Sequence, residues 1–113
     1  MALQPWRTGK VIQIINETPN TKRYRIQIPE LDVFDFQPGQ FVTLDLPIHE
    51  KPNKRWRSYS IASWPDGTNE FELVIVLNTT GSGTPWLWEN FQLGTEITLR
   101  GPQGVFTLPE TID

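Results

Sequence analysis

Hydrophobic and polar residues alternate along most of the chain, a pattern typical of β-strands that bury one face. In "TKRYRIQIP" the side chains of Tyr24, Ile26 and Ile28 share one face, and polar side chains occupy the other. The same alternation runs through "GKVIQIIN", "QFVTLDLP", "SYSIAS", "NEFELVIVLN" and "TEITLRG". Turn signals such as "ETPN", "QPGQ", "WPDG" and "QLGT" separate these segments. The pattern predicts an all-β fold of six antiparallel strands.

One segment, "GSGTPWLWENF", breaks the alternation and carries helix signals. Thr84 is a good N-cap, Pro85 suits the first helical position, and Leu87 and Phe91 are four residues apart on one face. Gly94 follows as a helix stop. We therefore predict one short helix over residues 84–91, between strands five and six. Six short strands favour a Greek-key barrel, because closure removes exposed strand edges.

Composition limits the possible functions. The 113 residues are enough for one domain, residues 1–113, and the net charge of −3 argues against nucleic acid or an anionic membrane as the main partner. The absence of cysteine excludes disulfides, thiolate-bound zinc and cysteine-bound iron–sulfur clusters. The single histidine, His49, lies in a segment that reads as a surface loop, so no metal site is expected. No apolar stretch is long enough to span a membrane, and we expect a cytoplasmic protein.

Two features point to a small anionic, aromatic ligand. In "RWRSYSIAS" Arg57 and Tyr59 are two residues apart on a strand, so a guanidinium for phosphate and an aromatic plane project from one face. In "TGSGTP" two glycines precede the helix, where free N–H groups and the helix dipole favour an anion. Gly81 and Gly83 can adopt positive φ there and let the backbone come close to a phosphate. Each feature also has a plain alternative: a surface cation–π pair, and a simple strand-to-helix turn.

Together these motifs resemble the flavin-binding domain of the ferredoxin–NADP reductase superfamily, over nearly the whole chain. "RSYSIAS" resembles the family's Arg-x-Tyr-Ser motif, "GSGT" its Gly-x-x-Ser/Thr pyrophosphate turn, and "GPQGVF" its closing Gly-Pro-x-Gly-x-Phe. The resemblance implies that Arg57 holds the flavin pyrophosphate, that Tyr59 lies against the isoalloxazine ring and that Ser60 acts catalytically near flavin N5. Because strands alternate, an N5 contact requires a twisted strand end or the Ser60 backbone. The full cofactor-binding set that the resemblance implies is Arg57, Tyr59, Ser60, Ser63, Val76, Gly81, Ser82, Gly83 and Thr84.

The resemblance also implies a function. FAD is the expected flavin, ahead of FMN, in an oxidoreductase that passes electrons from NAD(P)H to a one-electron acceptor such as a ferredoxin. No second Gly-rich nucleotide turn occurs in the chain, so the NAD(P)H-binding domain is expected in cis or in trans, beginning near "LPETID". The flavin half alone is not expected to turn over nicotinamide. Two alternatives stay open: a barrel module that docks or regulates a partner without flavin, and a barrel enzyme that acts on free flavins or pterins.

Overall fold

The fold is a single antiparallel sheet with one helix, as the alternation predicts. The computed structural model describes residues 5–51 and 54–104. Its strands are β1 Arg7–Thr18, β2 Thr21–Gln27, β3 Phe41–Asp45, β4 Trp56–Ser60, β5 Glu70–Val76 and β6 Glu96–Gln103, and the helix α1 is Gly83–Asn90. The all-β prediction and the placement of one helix between strands five and six are confirmed. Most of "GPQGVF" lies within β6 and the residue after it, but its last two residues lie outside the described part.

The strand order is β4-β3-β6-β1-β2-β5, so the last strand is inserted between β3 and β1. The edge strands β4 and β5 meet through one isolated bridge, between Ile61 and Leu73, and the Ala62 N–H donates to the Glu72 carbonyl at 2.8 Å. No continuous ladder joins these two edges, so the sheet is not fully closed and the predicted barrel is an open-sided one. We call the gap between β4 and β5 the seam.

The core forms on the inner face of this sheet, where the alternation places apolar residues. Tyr24, Ile26 and Ile28 are fully buried. The rest of the core comes from the other strands, the loops beside them, helix α1 and its C-cap: Val11, Phe34, Phe36, Val42, Leu44, Leu46, Ile61, Phe71, Leu73, Ile75, Leu87, Phe91, Ile97 and Leu99. Burial of these side chains supplies the main favourable free energy of folding.

The outer face of β2 and β5 is held by ion pairs rather than by apolar contacts. Arg23 and Arg25 lie on this face, and both donate to Glu72 on β5, at 2.9 and 3.0 Å. Arg25 also bonds Glu70, so neighbouring strands are linked through their side chains as well as through their backbones. The polar side chains of β2 therefore link β2 to β5 on the outer face of the sheet.

The start of the helix differs from the prediction. Helix α1 begins at Gly83 with Ser82 as N-cap, and Pro85 is its third residue rather than its first. Proline is accepted there because the first helical N–H groups have no intrahelical partner. The Thr84 hydroxyl is engaged elsewhere, as described below. Within the described residues, no helix has the length and apolar character needed to cross a membrane.

A buried hydroxyl in the core gives a testable stability effect. Tyr24 is fully buried, and its hydroxyl has no hydrogen-bond partner among the described residues. Because an unpaired buried hydroxyl is unfavourable, Tyr24→Phe should leave the free energy of unfolding at pH 7 unchanged or raise it by about 1 kcal/mol. Urea unfolding measures this, and a clear loss of stability would show that the hydroxyl has a partner.

The same residue predicts a loss of stability at high pH. Burial, with a smaller contribution from Tyr59, raises the pKa of Tyr24 to about 12, whereas the unfolded side chain ionises near 10.0. The unfolded state therefore loses its proton first, and stability falls as the pH rises from 10 to 12. The expected loss is roughly 2–3 kcal/mol, and the Tyr24→Phe variant should lose that much less over the same range.

Candidate functional site

Arg57 and Tyr59 lie on one face of the edge strand β4, as their spacing predicts. In the pairing with β3, Arg57 lies opposite Leu44 and Tyr59 opposite Val42. Both partners are fully buried, so the two side chains project from the inner face of the sheet, at its edge, and not from the exterior. Tyr59 packs against the core while part of it stays accessible. This placement contradicts the alternative of a surface cation–π pair.

The seam widens away from the Ile61–Leu73 bridge into a cleft of about 460 Å³. The cleft lies between the edge of β4 and the turn that joins β5 to α1. Its walls are formed by Arg57, Tyr59, Asn78, Thr80, Gly81, Ser82, Gly83 and Thr84. Arg57 and Ser82 are 25 residues apart in the sequence. The fold therefore brings the two predicted ligand-binding motifs into one cleft.

The Arg57 guanidinium is fixed in this cleft by hydrogen bonds. Its Nη1 donates to the carbonyls of Lys54 and Trp56, at 3.1 and 2.8 Å, and its Nη2 donates to the Ser82 hydroxyl at 3.2 Å. The last bond crosses the cleft and ends on the N-cap of α1. Because three of its five N–H groups are directed by the protein, the cation is preorganised beside the helix start.

The two glycines of the turn do not use the positive φ that glycine permits. Neither Gly81 nor Gly83 has a positive φ. At Gly83, an added Cβ would lie 3.1 Å from Arg57 Cγ and 3.2 Å from its Nε, closer than ordinary contact, whereas a Cβ at Gly81 would meet Asn78 at 3.5 Å or more. A side chain at Gly83 would therefore crowd Arg57 where it packs against the helix start, whereas Gly81 has room for a side chain.

The turn is braced by Asn78 and Thr84. The Asn78 N–H donates to the Thr84 hydroxyl at 2.7 Å, and that hydroxyl donates to the Asn78 carbonyl at 3.2 Å. The Asn78 side-chain oxygen accepts from the N–H and the hydroxyl of Thr80. Asn78 and Thr80 are not among the predicted site residues. An Asn that follows a strand and precedes Thr by two residues is a turn signal that would have indicated them.

Loss of the Thr84 hydroxyl should loosen this brace. We expect Thr84→Val to make the Asn78 amide exchange its hydrogen about tenfold faster and to lower the free energy of unfolding by about 1 kcal/mol. Thr84→Ser keeps the hydroxyl and serves as the matched control. Hydrogen exchange followed by NMR measures both variants, and equal protection of the Asn78 amide in the two would remove Thr84 from the brace.

Three predicted site residues lie outside the cleft. Ser60 is exposed on the outer face of β4, because its neighbour Tyr59 points inward. Val76, near the end of β5, is 57% exposed. The Ser63 hydroxyl accepts from the Glu72 N–H at 3.0 Å and so ties the seam. Ser60 and Val76 thus lie on one outer surface beside the cleft.

The electrostatics of the cleft favour an anion next to a neutral phenol. The first turn of α1 contains no acidic residue, and its free N–H groups carry the positive end of the helix dipole. Burial raises the pKa of Tyr59, and the nearby Arg57 charge opposes this, so the phenol stays protonated at neutral pH. In residues 5–51 and 54–104, no group of three His, Cys, Asp or Glu side chains could hold a metal ion.

Comparison with known proteins identifies the class of this domain. The sequence profile of the oxidoreductase FAD-binding domain family matches residues 8–108. The chain is 33% identical over 109 residues to the glycine betaine monooxygenase reductase subunit of Chromohalobacter salexigens, covering 93% of this chain and 29% of that protein. It is 31% identical over 105 residues to the 3-ketosteroid-9-alpha-monooxygenase ferredoxin reductase component of Rhodococcus rhodochrous, covering 91% and 29%.

A solved structure agrees with this class. The cytochrome P450 reductase GcoB of Amycolatopsis superposes with a TM-score of 0.76 at 26% identity, covering 96% of this chain and 32% of that one. The chain belongs to the oxidoreductase FAD-binding domain family. It spans less than a third of the length of the curated relatives named above.

The cleft fits the FAD that this family binds. A pyrophosphate needs positive charge and unpaired N–H groups, and the cleft supplies Arg57 and the start of α1. A flavin ring needs an aromatic or apolar surface, and Tyr59 lies beside the cation in the same cleft. Gly83 has no side chain, so none stands between Arg57 and the helix start at the phosphate end of the cleft.

Proposed function

We propose that this domain holds the FAD of a reductase that passes electrons from NAD(P)H to a one-electron acceptor. The observation that carries the proposal is the Arg57–Ser82 contact, which sets a fixed guanidinium at a helix start within one cleft. Such an arrangement suits two adjacent phosphates better than it suits a neutral ligand.

The roles of the residues follow from their positions. Arg57 and the free N–H groups at the start of α1 would hold the pyrophosphate, and Tyr59 would hold the ring end of the cofactor. Bound FAD supplies the hydride and single-electron chemistry, and the protein supplies binding, orientation and electrostatics. Ser60, Val76 and Ser63 stay proposed site residues, with Ser60 and Val76 on the outer surface beside the cleft.

The proposed partners are inferred from the functions of the two curated relatives. Both curated relatives are reductase parts of monooxygenases, and one is a ferredoxin reductase component. We therefore propose an NAD(P)H-binding domain, in cis or in trans, and an electron acceptor such as a ferredoxin. The arrangement of one flavin domain in residues 1–113 and the cytoplasmic location stay predictions.

The two alternative functions have less support. The residues described along the cleft include no histidine, cysteine or carboxylate, so an enzyme that transforms free flavins would lack an acid, base or nucleophile of those types there. A flavin-free docking module would have no use for a fixed guanidinium at the helix start. The family match also favours a cofactor-binding role over both.

The visible absorption spectrum of the purified domain, recorded before and after FAD is added, tests the proposal directly. We expect a bound-flavin spectrum and a saturable change in flavin fluorescence. Tyr59→Ala should weaken FAD, FMN and riboflavin by a similar factor, because all three share the ring, and Tyr59→Phe should cost little. A folded domain that binds none of the three flavins would contradict the proposed function.

A further inference from the structure

A guanidinium lies against two indole rings on the outer face of the sheet. Arg100 projects from β6 away from the core, since its neighbour Leu99 is fully buried on the inner face. The guanidinium carbon of Arg100 lies 4.6 Å from the ring centroid of Trp6 and 4.7 Å from that of Trp56. The centroids of the two indole rings are 5.7 Å apart. We call the side chains of Trp6, Trp56 and Arg100 the outer clamp.

The outer clamp joins strands that are not neighbours in the sheet. Strand β3 lies between β6, which carries Arg100, and β4, which carries Trp56. Arg100 is opposite Thr43 of β3, and Trp56 is opposite Asp45 of the same strand. Trp6 lies just before β1, which is the neighbour of β6 on its other side. The clamp therefore fastens the edge strand β4 to the middle of the sheet through side chains.

The Arg100 side chain is held by the two rings rather than by hydrogen bonds at its inner nitrogen. Its Nε is buried and has no hydrogen-bond partner among the described residues. A buried N–H without an acceptor is unfavourable, whereas a cation over an indole face is stabilised by the ring. The contacts with Trp6 and Trp56 therefore offset the burial of this nitrogen.

Trp56 connects the outer clamp to the cleft on the inner face. Its ring contacts Arg100, and its carbonyl accepts a hydrogen bond from Arg57 Nη1 at 2.8 Å. The side chains of Trp56 and Arg57 point to opposite faces, because the two residues are consecutive on a strand. Movement of the Trp56 ring would therefore shift the peptide group that directs the Arg57 guanidinium.

We propose that Arg100 is a positioning residue for Arg57. Arg100 fixes the Trp56 ring, and the Trp56 carbonyl in turn directs the Arg57 guanidinium towards the start of α1. Arg100 does not form part of the cleft wall, so it acts on a ligand there only through Arg57. The expected effect on flavin affinity rests on the proposed function, whereas the effect on the Arg57 side chain needs no ligand.

Titrations with three flavins test this role. Arg100→Met keeps a long side chain but removes the charge, and it should weaken FAD and FMN binding about fivefold. Riboflavin has no phosphate for Arg57 to hold, so its affinity should not change. Arg100→Lys keeps a cation and should restore most of the loss. Arg7→Met is the matched control, because Arg7 is opposite Leu99 and pairs with Glu30 at 3.0 Å, and its loss should leave all three affinities unchanged.

A double-mutant cycle separates positioning from a general structural role. In an Arg57→Ala background, Arg100→Met should cause no further loss of FAD affinity, because no guanidinium remains to be positioned. Additive losses of the two substitutions would overturn the proposal. An equal loss of riboflavin affinity in Arg100→Met would overturn it as well.

A measurement on the flavin-free domain tests the clamp directly. In ¹⁵N relaxation experiments, Arg100→Met should lower the order parameter of the Arg57 Nε–H group, and Arg7→Met should not. Trp6→Leu removes one ring of the clamp at a residue that is 38% exposed, and it should act in the same direction if Arg100→Met fails to fold. An unchanged Arg57 order parameter in the folded variants would contradict the positioning role. If the wild type binds no flavin, the proposed function fails, and this measurement still decides the role of Arg100.

Discussion

Arg57→Ala should lower the affinity of the domain for FAD by roughly ten- to a hundredfold, because a charge-assisted contact to phosphate is worth about 1.5–3 kcal/mol. The loss should be similar for FMN and much smaller for riboflavin, which has no phosphate. The variant also removes the Nη2 bond to Ser82, so the helix start loses its link across the cleft. Flavin titrations followed by fluorescence quenching give all three affinities.

The neighbouring arginine provides a matched control. Arg55 is two residues away, and its Nε donates to Asp45 at 2.9 Å, outside the cleft. Arg55→Ala removes the same charge from the same segment and should leave FAD affinity within about twofold of the wild type. Equal effects of the two substitutions would mean that overall charge, and not a contact in the cleft, governs binding.

Gly83→Val should weaken FAD binding about tenfold, although it removes no side-chain contact. The new Cβ lies 3.1 Å from Arg57 Cγ and 3.2 Å from its Nε, so the Arg57 side chain must shift, and we expect the shift to disturb its contact with the helix start. Gly81→Val is the control, because a Cβ at Gly81 makes ordinary contacts with Asn78. We expect the Gly81 variant to retain FAD affinity within a few-fold of the wild type.

A double-mutant cycle identifies the cause of the Gly83 effect. If the valine acts by displacing Arg57, Gly83→Val should cost little in an Arg57→Ala background, and the two effects should not add. Additive losses would instead show that the valine blocks the ligand's approach to the backbone. Circular dichroism of each variant confirms that the comparison is made between folded proteins.

The sequence predicts the fold well because the signal is local. The alternation of Tyr24, Ile26 and Ile28 with charged residues is set by the two-residue period of a strand, and all three are buried as expected. The shared face of Arg57 and Tyr59 follows from the same period and is also observed. The family resemblance is confirmed by the match over residues 8–108.

The errors arise where contacts that the local pattern does not specify decide the structure. Thr84 has the sequence signal of an N-cap, but its hydroxyl bonds the main chain of Asn78, and the N-cap lies two residues earlier, at Ser82. A glycine before a helix suggests a positive φ, but Gly83 has none. Its missing side chain instead leaves room for the side chain of Arg57, which comes from β4. The predicted barrel is closed, but the observed sheet is open between β4 and β5. Pairing of these two strands depends on how strongly the whole sheet curves, which the alternation within one strand does not specify.

The strand order has a consequence for how the domain is made on the ribosome. Strand β6 is the connection in the sheet between the β4-β3 pair, which carries Arg57, and the β1-β2-β5 group, which leads into the Gly-rich turn. Before β6 emerges, the two walls of the cleft are joined only by short contacts, at Ile61–Leu73, at Glu72 with the residues after β4, and between Arg57 and Ser82. A nascent chain that ends before Glu96 would therefore have both binding motifs and no assembled site, and cofactor capture would follow synthesis of β6.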